Sequence, residues 1–301
     1  MSVLKTIQMK ETTIQLTILS AMLLSSCSTN EQIAATYKVM KDVSYGADTE
    51  QTMDIYLSKE AKSYGKSNYT VVFLHGGGYY LSDKSQEERY IEPYLKKGLN
   101  VVNMNYRLKK GIPIATTDLT NALNFLITNN NDYNLNFGNV ILTGFSAGAH
   151  IATNVGVSRN NPEYPNKLND GIAVTGIINF SGPVDGLDIV ERLFSDSDID
   201  IMSEIGKALF PLTASYESKE VMAAYEPVTY LNKNDPPIFI WHGGKDNQVP
   251  PATFERFVPM LKTTTKKNLV IFAPDGNHSP NPEELQNAYK EIFVFLDNLK
   301  R

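Results

Sequence analysis

Six short apolar runs recur down this chain: Thr70–Leu74, Leu99–Met104, Val140–Thr143, Thr175–Phe180, Ile238–Trp241 and Leu269–Phe272. None alternates apolar with polar residues. A strand with one face in water would show that alternation, so these runs need cover on both faces. The cover is written between them, in stretches such as Asp118–Thr128 and Glu283–Leu299 whose apolar residues fall at helical spacing. Strands apolar on both sides alternating with amphipathic helices specify an α/β class: a mostly parallel central sheet with helices on both faces, in one domain over 39–301. Ahead of this pattern, Val39–Tyr45 and Met53–Leu57 flank the turn-rich Gly46-Ala47-Asp48 and read as a hairpin at a sheet edge. One connection breaks the rhythm. Residues Val184–Asp235 are too long for an ordinary link and carry helical patches at Gly186–Phe194, Met202–Leu209 and Ser218–Ala224, so they read as an insertion.

Charge and cysteine content narrow what such a domain can do. With 28 Lys plus Arg against 33 Asp plus Glu, the formal charge is −5, and no dense basic stripe is present to meet phosphates, which argues against a nucleic-acid partner. The single cysteine, Cys27, cannot make an intramolecular disulfide, and no Cys/His spacing suits structural zinc. Packing alone has to hold the fold, with no metal or cofactor expected.

Residues 1–26 have the order of an export signal: Lys5 and Lys10, an apolar stretch from Ile14 to Leu24, then Leu24-Ser25-Ser26-Cys27. The apolar stretch is about half of what a bilayer-spanning helix needs. Leu-Ser-Ser-Cys resembles the lipobox of bacterial lipoproteins, which implies cleavage before Cys27, lipid attachment to its thiol, residues 27–38 as a tether, and a place in the bacterial cell envelope with a lipid anchor in the membrane.

Two glycine-rich segments and two loop residues carry the chemistry. Gly144-Phe145-Ser146-Ala147-Gly148 follows one apolar run and precedes the small-residue helix Ala149–Val157. A serine wedged between strand end and helix start sits on so sharp a turn that its flanking glycines cannot carry a Cβ, and its hydroxyl stands exposed. His75-Gly76-Gly77-Gly78 follows another run and offers backbone N–H groups without steric cover; these suit a developing oxyanion. A phosphate cradle fits less well, since no Gly-Lys-Ser/Thr follows. A serine nucleophile needs a base and an orienting acid. Of four histidines, His278 lies in the loop after the last apolar run and is the candidate base; His75 and His242 read as loop braces and His150 as a helix residue that packs or hydrogen-bonds. Asp246, just beyond the penultimate run, is the candidate acid, with Asp185 as its rival and Asp275 too near His278 in sequence. The order Ser146, Asp246, His278 is that of α/β-hydrolases.

Together with Asn105-Tyr106-Arg107-Leu108, these motifs resemble the α/β-hydrolase superfamily, and within it the esterase/lipase group with an HGGG loop, which includes hormone-sensitive-lipase-like and bacterial feruloyl- and acetyl-esterase-like proteins. The resemblance runs from about Val39 to Leu299. It implies the α/β-hydrolase fold with a small helical cap at 184–235, an oxyanion hole from the N–H groups of Gly77, Gly78 and Ala147, and ester hydrolysis; Arg107 reads as a brace. Two departures stand out: Tyr79-Tyr80 replace the usual Trp after the glycines, and the insertion matches no particular cap. Small acyl groups on carbohydrate are the expected substrate; short-chain lipid or xenobiotic esters are the alternative, and a non-catalytic binding lipoprotein is the alternative of another class.

Overall fold

The structure is a computed structural model that describes residues 35–60, 68–209, 223–265 and 267–299. Cys27 and the 1–26 segment lie outside the described residues, as do 210–222 of the insertion. Eight strands form one sheet in the order β1-β2-β4-β3-β5-β6-β7-β8. They are β1 (Tyr37–Ser44), β2 (Thr52–Ser58), β3 (Thr70–Leu74), β4 (Asn100–Met104), β5 (Val140–Phe145), β6 (Val174–Phe180), β7 (Ile238–Gly243) and β8 (Leu269–Ala273). The hairpin β1–β2 is antiparallel, and β2 pairs antiparallel with β4; every later pairing is parallel. The first strand starts two residues before the expected domain edge, because the Tyr37 hydroxyl donates to the Leu95 and Leu99 carbonyls and pins the chain there.

Five of the central strand residues explain the apolar runs directly: Val71, Val72, Phe73, Val101 and Val102 are fully buried, so neither sheet face meets water. On one face lie α1 (Glu88–Lys96) and α6 (Pro282–Leu299), burying Tyr90, Tyr94, Tyr289 and Phe295. On the other lie α2 (Ile112–Thr128) and α3 (Ala147–Ser158), burying Leu119, Leu123, Ile151 and Val155. Helix α3 is rich in Ala, Gly, Ser and Thr and every residue of it is buried, which lets it sit low against β5 and β6. The insertion contributes α4 (Leu187–Ser195) and α5 (Asp200–Ala208), two amphipathic helices packed on each other above the sheet edge.

The Asn-Tyr-Arg-Leu segment after β4 is structural, as read. Arg107 donates from Nε and Nη2 to the fully buried Asp118 at 2.6–3.1 Å, its backbone N–H donates to the same carboxylate at 2.9 Å, and Gln51 adds a fourth donor at 2.8 Å. A buried carboxylate satisfied this fully can be kept in the interior. Among the described residues no helix is long and apolar enough to cross a membrane, and no group of three or more His, Cys, Asp or Glu is placed to hold a metal ion.

Candidate active site

All the candidate residues arrive at one edge of the sheet, because parallel strands deliver their following loops to the same carboxyl end. Ser146 leaves β5 at φ 52° and ψ −120°, a positive φ that a residue with a Cβ adopts only under constraint. The constraint is visible. The Ser146 N–H donates to the Phe180 carbonyl at 2.8 Å and its carbonyl accepts from the His150 N–H at 3.0 Å. Both flanking glycines are required by space: a Cβ on Gly144 would stand 2.4 Å from the Gly148 carbonyl carbon, and one on Gly148 would stand 2.2 Å from the Leu74 oxygen.

The Ser146 Oγ lies 2.9 Å from His278 Nε2, and His278 Nδ1 lies 2.7 Å from Asp246 Oδ2. Asp246 is also held through Oδ1, which accepts the Gln248 and Val249 N–H groups at 2.9 Å each. Because the carboxylate only accepts, Nδ1 carries the imidazole proton and Nε2 turns a lone pair toward the serine. The loop bearing His278 is stitched to the end of β7: Lys245 N–H donates to the Gly276 carbonyl at 2.8 Å, and a Cβ on Gly243 would meet the Asn277 oxygen at 2.1 Å. Asp246 and His278 are both buried, at 4% and 7% exposure, which limits competition from water for these contacts.

Across the cleft, Gly77 and Gly78 take φ of 102° and 60°, and among the described residues their N–H groups donate to no protein acceptor. Ala147 opens α3, so its N–H is one of the helix's unsatisfied first donors. The loop is braced from below. His75 donates from Nδ1 to the Gly76 carbonyl at 2.7 Å and stacks on Tyr106 at 4.4 Å, while the Tyr106 hydroxyl donates to the His75 and Gly76 carbonyls. Burial depresses His75 to about 4, so it stays neutral.

The remaining histidines and acids fall outside the serine's contacts. His242, fully buried, packs its ring on Phe254 at 4.6 Å and keeps 3.7 Å from Asp246; desolvation lowers it to about 4. Asp185, the rival acid, is taken by Arg256 in a two-pronged pair at 2.8 and 2.7 Å. Asp275 pairs with Lys245 at 2.6 Å. His150 hydrogen-bonds through both ring nitrogens: its Nδ1 accepts from the Tyr79 hydroxyl at 2.6 Å and its Nε2 donates to the Tyr225 carbonyl at 2.7 Å, tying the glycine loop to the insertion. No sequence signal marks that link, since its three members lie 71 and 75 residues apart.

A cavity of about 570 Å³ opens over Ser146. One wall is apolar and comes from the insertion, with Val190, Phe194, Met202 and Ile205; the other is polar, with Glu87, Arg89, Asn247 and Ser279. The insertion presses on the glycine loop itself, since a Cβ at Gly78 would meet the Ile205 side chain at 2.7 Å. Sequence reasoning did not mark Glu87 and Arg89, which sit at the start of α1 in an ordinary charged stretch. Burial raises the Glu87 carboxyl to about 7.

The model of the BD-FAE family matches residues 53–261, more than half of the chain. Esterase LipC of Mycobacterium tuberculosis is 21% identical over 259 residues, 80% of this chain and 60% of its own length. Endo-1,4-beta-xylanase B of Butyrivibrio fibrisolvens is 23% identical over 204 residues, covering 64% of this chain and 29% of that protein. This chain thus spans at most 60% of the length of these two curated relatives. Among solved structures, a truncated form of a carbohydrate esterase from gut microbiota superposes with a TM-score of 0.69 at 21% identity, covering 87% of this chain and 98% of that one. With the eight-stranded α/β-hydrolase fold and a family match over its central two hundred residues, this chain belongs to the BD-FAE family.

Proposed function

We propose that this protein is a serine carboxylesterase that releases small acyl groups, of the acetyl or feruloyl kind, from carbohydrate. The observation that carries the reading is the continuous Ser146–His278–Asp246 hydrogen-bond chain, whose Ser146 and His278 line one cavity with Gly77 and Gly78, their N–H groups unengaged. In the proposed reaction His278 Nε2 takes the Ser146 proton as Oγ attacks the ester carbonyl carbon. The oxyanion forms at the Gly77, Gly78 and Ala147 N–H groups, where each well-aimed donor lowers the barrier by about 3 kcal/mol. Asp246 holds the imidazolium by its Nδ1–H. The Nε2 proton then passes to the departing alkoxide, the alcohol leaves, and water attacks the acyl-serine by the same sequence to free the acid.

The polarity of the cavity supports the choice of substrate. The leaving oxygen must lie on the His278 side to receive its proton, and that side is the polar wall beside Ser279 and Asn247, which suits a hydroxyl-rich alcohol. The acyl group is left with the apolar wall of α4 and α5. A xylanase-named relative and a carbohydrate-esterase neighbour agree with this reading. The apolar wall equally favours a second reading, short-chain lipid or xenobiotic esters.

Incubation with a fluorophosphonate probe is expected to label Ser146, found by peptide mapping, and the purified protein is expected to release acetate from acetylated xylan faster than octanoate from an octanoyl ester. Faster octanoate release overturns the carbohydrate reading in favour of lipid esters, and an unlabelled Ser146 makes the domain a non-catalytic binding scaffold. The proposal places the enzyme on the bacterial envelope through a lipidated Cys27. Intact-mass measurement of the native protein should then show the chain starting at Cys27 with added acyl mass, whereas a free Cys27 thiol or a retained 1–26 segment overturns the anchor.

A further inference from the structure

Arg89 stands between two hollows. It lines the cavity over Ser146 and also a surface groove of about 880 Å³ between α1 and α6. The groove has an apolar floor of Pro93, Leu285, Tyr289 and Phe293 and a rim of four cations, Arg89, Lys96, Lys97 and Lys290. The only carboxylate lining it among the described residues is Glu92, and Lys96 holds that one at 2.6 Å. The other three cations make no ion pair among the described residues, the Glu87 carboxyl near Arg89 lying on the side of the Ser146 cavity. Arg89 donates to the Ser279 and Tyr90 hydroxyls at 2.5 and 3.2 Å, Lys97 lies over the Phe293 ring at 4.8 Å, and Lys290 donates to Asn287 Oδ1 at 2.9 Å. Such a concentration of unpaired positive charge is out of keeping with a chain of net charge −5, and like charges gathered without counter-charge repel unless an anion joins them.

Position supplies the rest. Ser279 adjoins His278, the residue assigned to protonate the leaving alcohol, and Arg89 is bonded to Ser279. An alcohol that continues as a polymer therefore leaves the cavity past Arg89 and meets the head of the groove. From Arg89 to Lys97 the groove follows eight helical residues, about 12 Å, room for more than one sugar. We propose that the α1–α6 groove binds a carboxylate-bearing glycan, the chain carrying the scissile ester, with uronate groups on Arg89, Lys97 and Lys290 and pyranose faces on the apolar floor. The identity of this ligand as the substrate's own chain rests on the carboxylesterase reading; the binding itself does not.

Affinity electrophoresis in gels containing polygalacturonate or neutral arabinoxylan tests the binding. Polygalacturonate is expected to retard the protein at 20 mM NaCl and to lose its hold at 500 mM, where exposed charges are screened, while arabinoxylan leaves mobility unchanged. Lys97→Gln with Lys290→Gln is expected to weaken polygalacturonate binding roughly tenfold, the scale of losing two exposed charge contacts; the control pair Lys233→Gln with Lys262→Gln, exposed elsewhere, should bind as the parent does. No retardation, equal retardation by arabinoxylan, loss in the control pair, or tighter binding to phosphatidylglycerol vesicles overturns the proposal. In a kinetic arm, the ratio of kcat/KM on acetylated pectin to that on p-nitrophenyl acetate should fall by the same factor in the groove variant. A parent that turns over neither ester defeats the carboxylesterase reading, and the gel result still decides the groove.

Discussion

Ser146→Ala is expected to lower kcat on p-nitrophenyl acetate by roughly 10⁴ to 10⁶, leaving only what the oxyanion donors and binding supply. The size follows from geometry. Ser146 Oγ is the group His278 Nε2 reaches, at 2.9 Å, and Ser146 lines the same cavity as Gly77 and Gly78. His278→Ala should cost about as much, and the double variant scarcely more, because the two residues act as one unit. Asp246→Asn should cost roughly 10⁴, since an amide at Oδ2 can donate to Nδ1 and so favours the tautomer that turns a proton, rather than a lone pair, toward the serine. His242 cannot stand in: its ring is buried against Phe254 and Phe272 and desolvation keeps it neutral. Steady-state rates on variants with parental circular dichroism check this. Ser146→Ala turnover above about one hundredth of the parent would remove the serine from the mechanism, a threshold far above the residual activity of disabled triads.

Acid should unfold the protein well before its ordinary carboxylates are all protonated. His75, His150 and His242 are each fully buried, and burial lowers each to about 4 from an ordinary value near 6.5. The unfolded chain therefore binds these three protons as pH falls through 6.5, while the native state refuses them until about 4. Stability from these groups is full above pH 6.5 and drains away between 6.5 and 4, by roughly 3 kcal/mol per histidine. Four acids oppose this. Burial raises Glu87 to about 7 and Asp235 to about 6, and raises Glu191 and Glu226 as well, so the native state takes up their protons first and gains stability as pH falls. All four are less enclosed than the histidines, and Asp235 is partly relieved by Arg159 at 3.5 Å, so the histidines set the sign and the net change is a loss of stability. Urea titrations at pH 7, 5.5 and 4 should show the midpoint falling monotonically, and His242→Gln should flatten that fall by about one proton's slope, about 1.4 kcal/mol per pH unit. A midpoint that holds or rises toward pH 4 would contradict the assignment of three neutral buried histidines.

Much of the framework could be read from residues alone, and the reasons differ by element. Thr70–Leu74 coincides with β3 because a strand apolar on both faces has sharp ends where glycines and polar residues begin. Ser146, Asp246 and His278 could be grouped before any coordinates because each directly follows a run that parallel pairing brings to the same edge. Asp185 also follows such a run, and only the fold shows it captured by Arg256, 71 residues later. The strand order, with β4 lying between β2 and β3, depends on packing that spacing does not record. The polar wall was hidden for a similar reason: Glu87 and Arg89 belong to a charged stretch whose proximity to His278 exists only once α1 and the β8 loop meet.

The bond from His150 to Tyr225 has a consequence for how this chain can vary and move. The acceptor is a main-chain carbonyl, so any side chain at position 225 can serve, provided the backbone returns to the same spot. His150 is thus a fixed post with the glycine loop moored on one nitrogen and the insertion on the other. Lifting the insertion at that point would strand a buried imidazole N–H, at a cost of about 1–3 kcal/mol, and would loosen Tyr79 one residue from Gly78 in the same motion. Displacing the insertion near Tyr225 is therefore felt at the Gly77–Gly78 loop, which is fully held only while the insertion is seated.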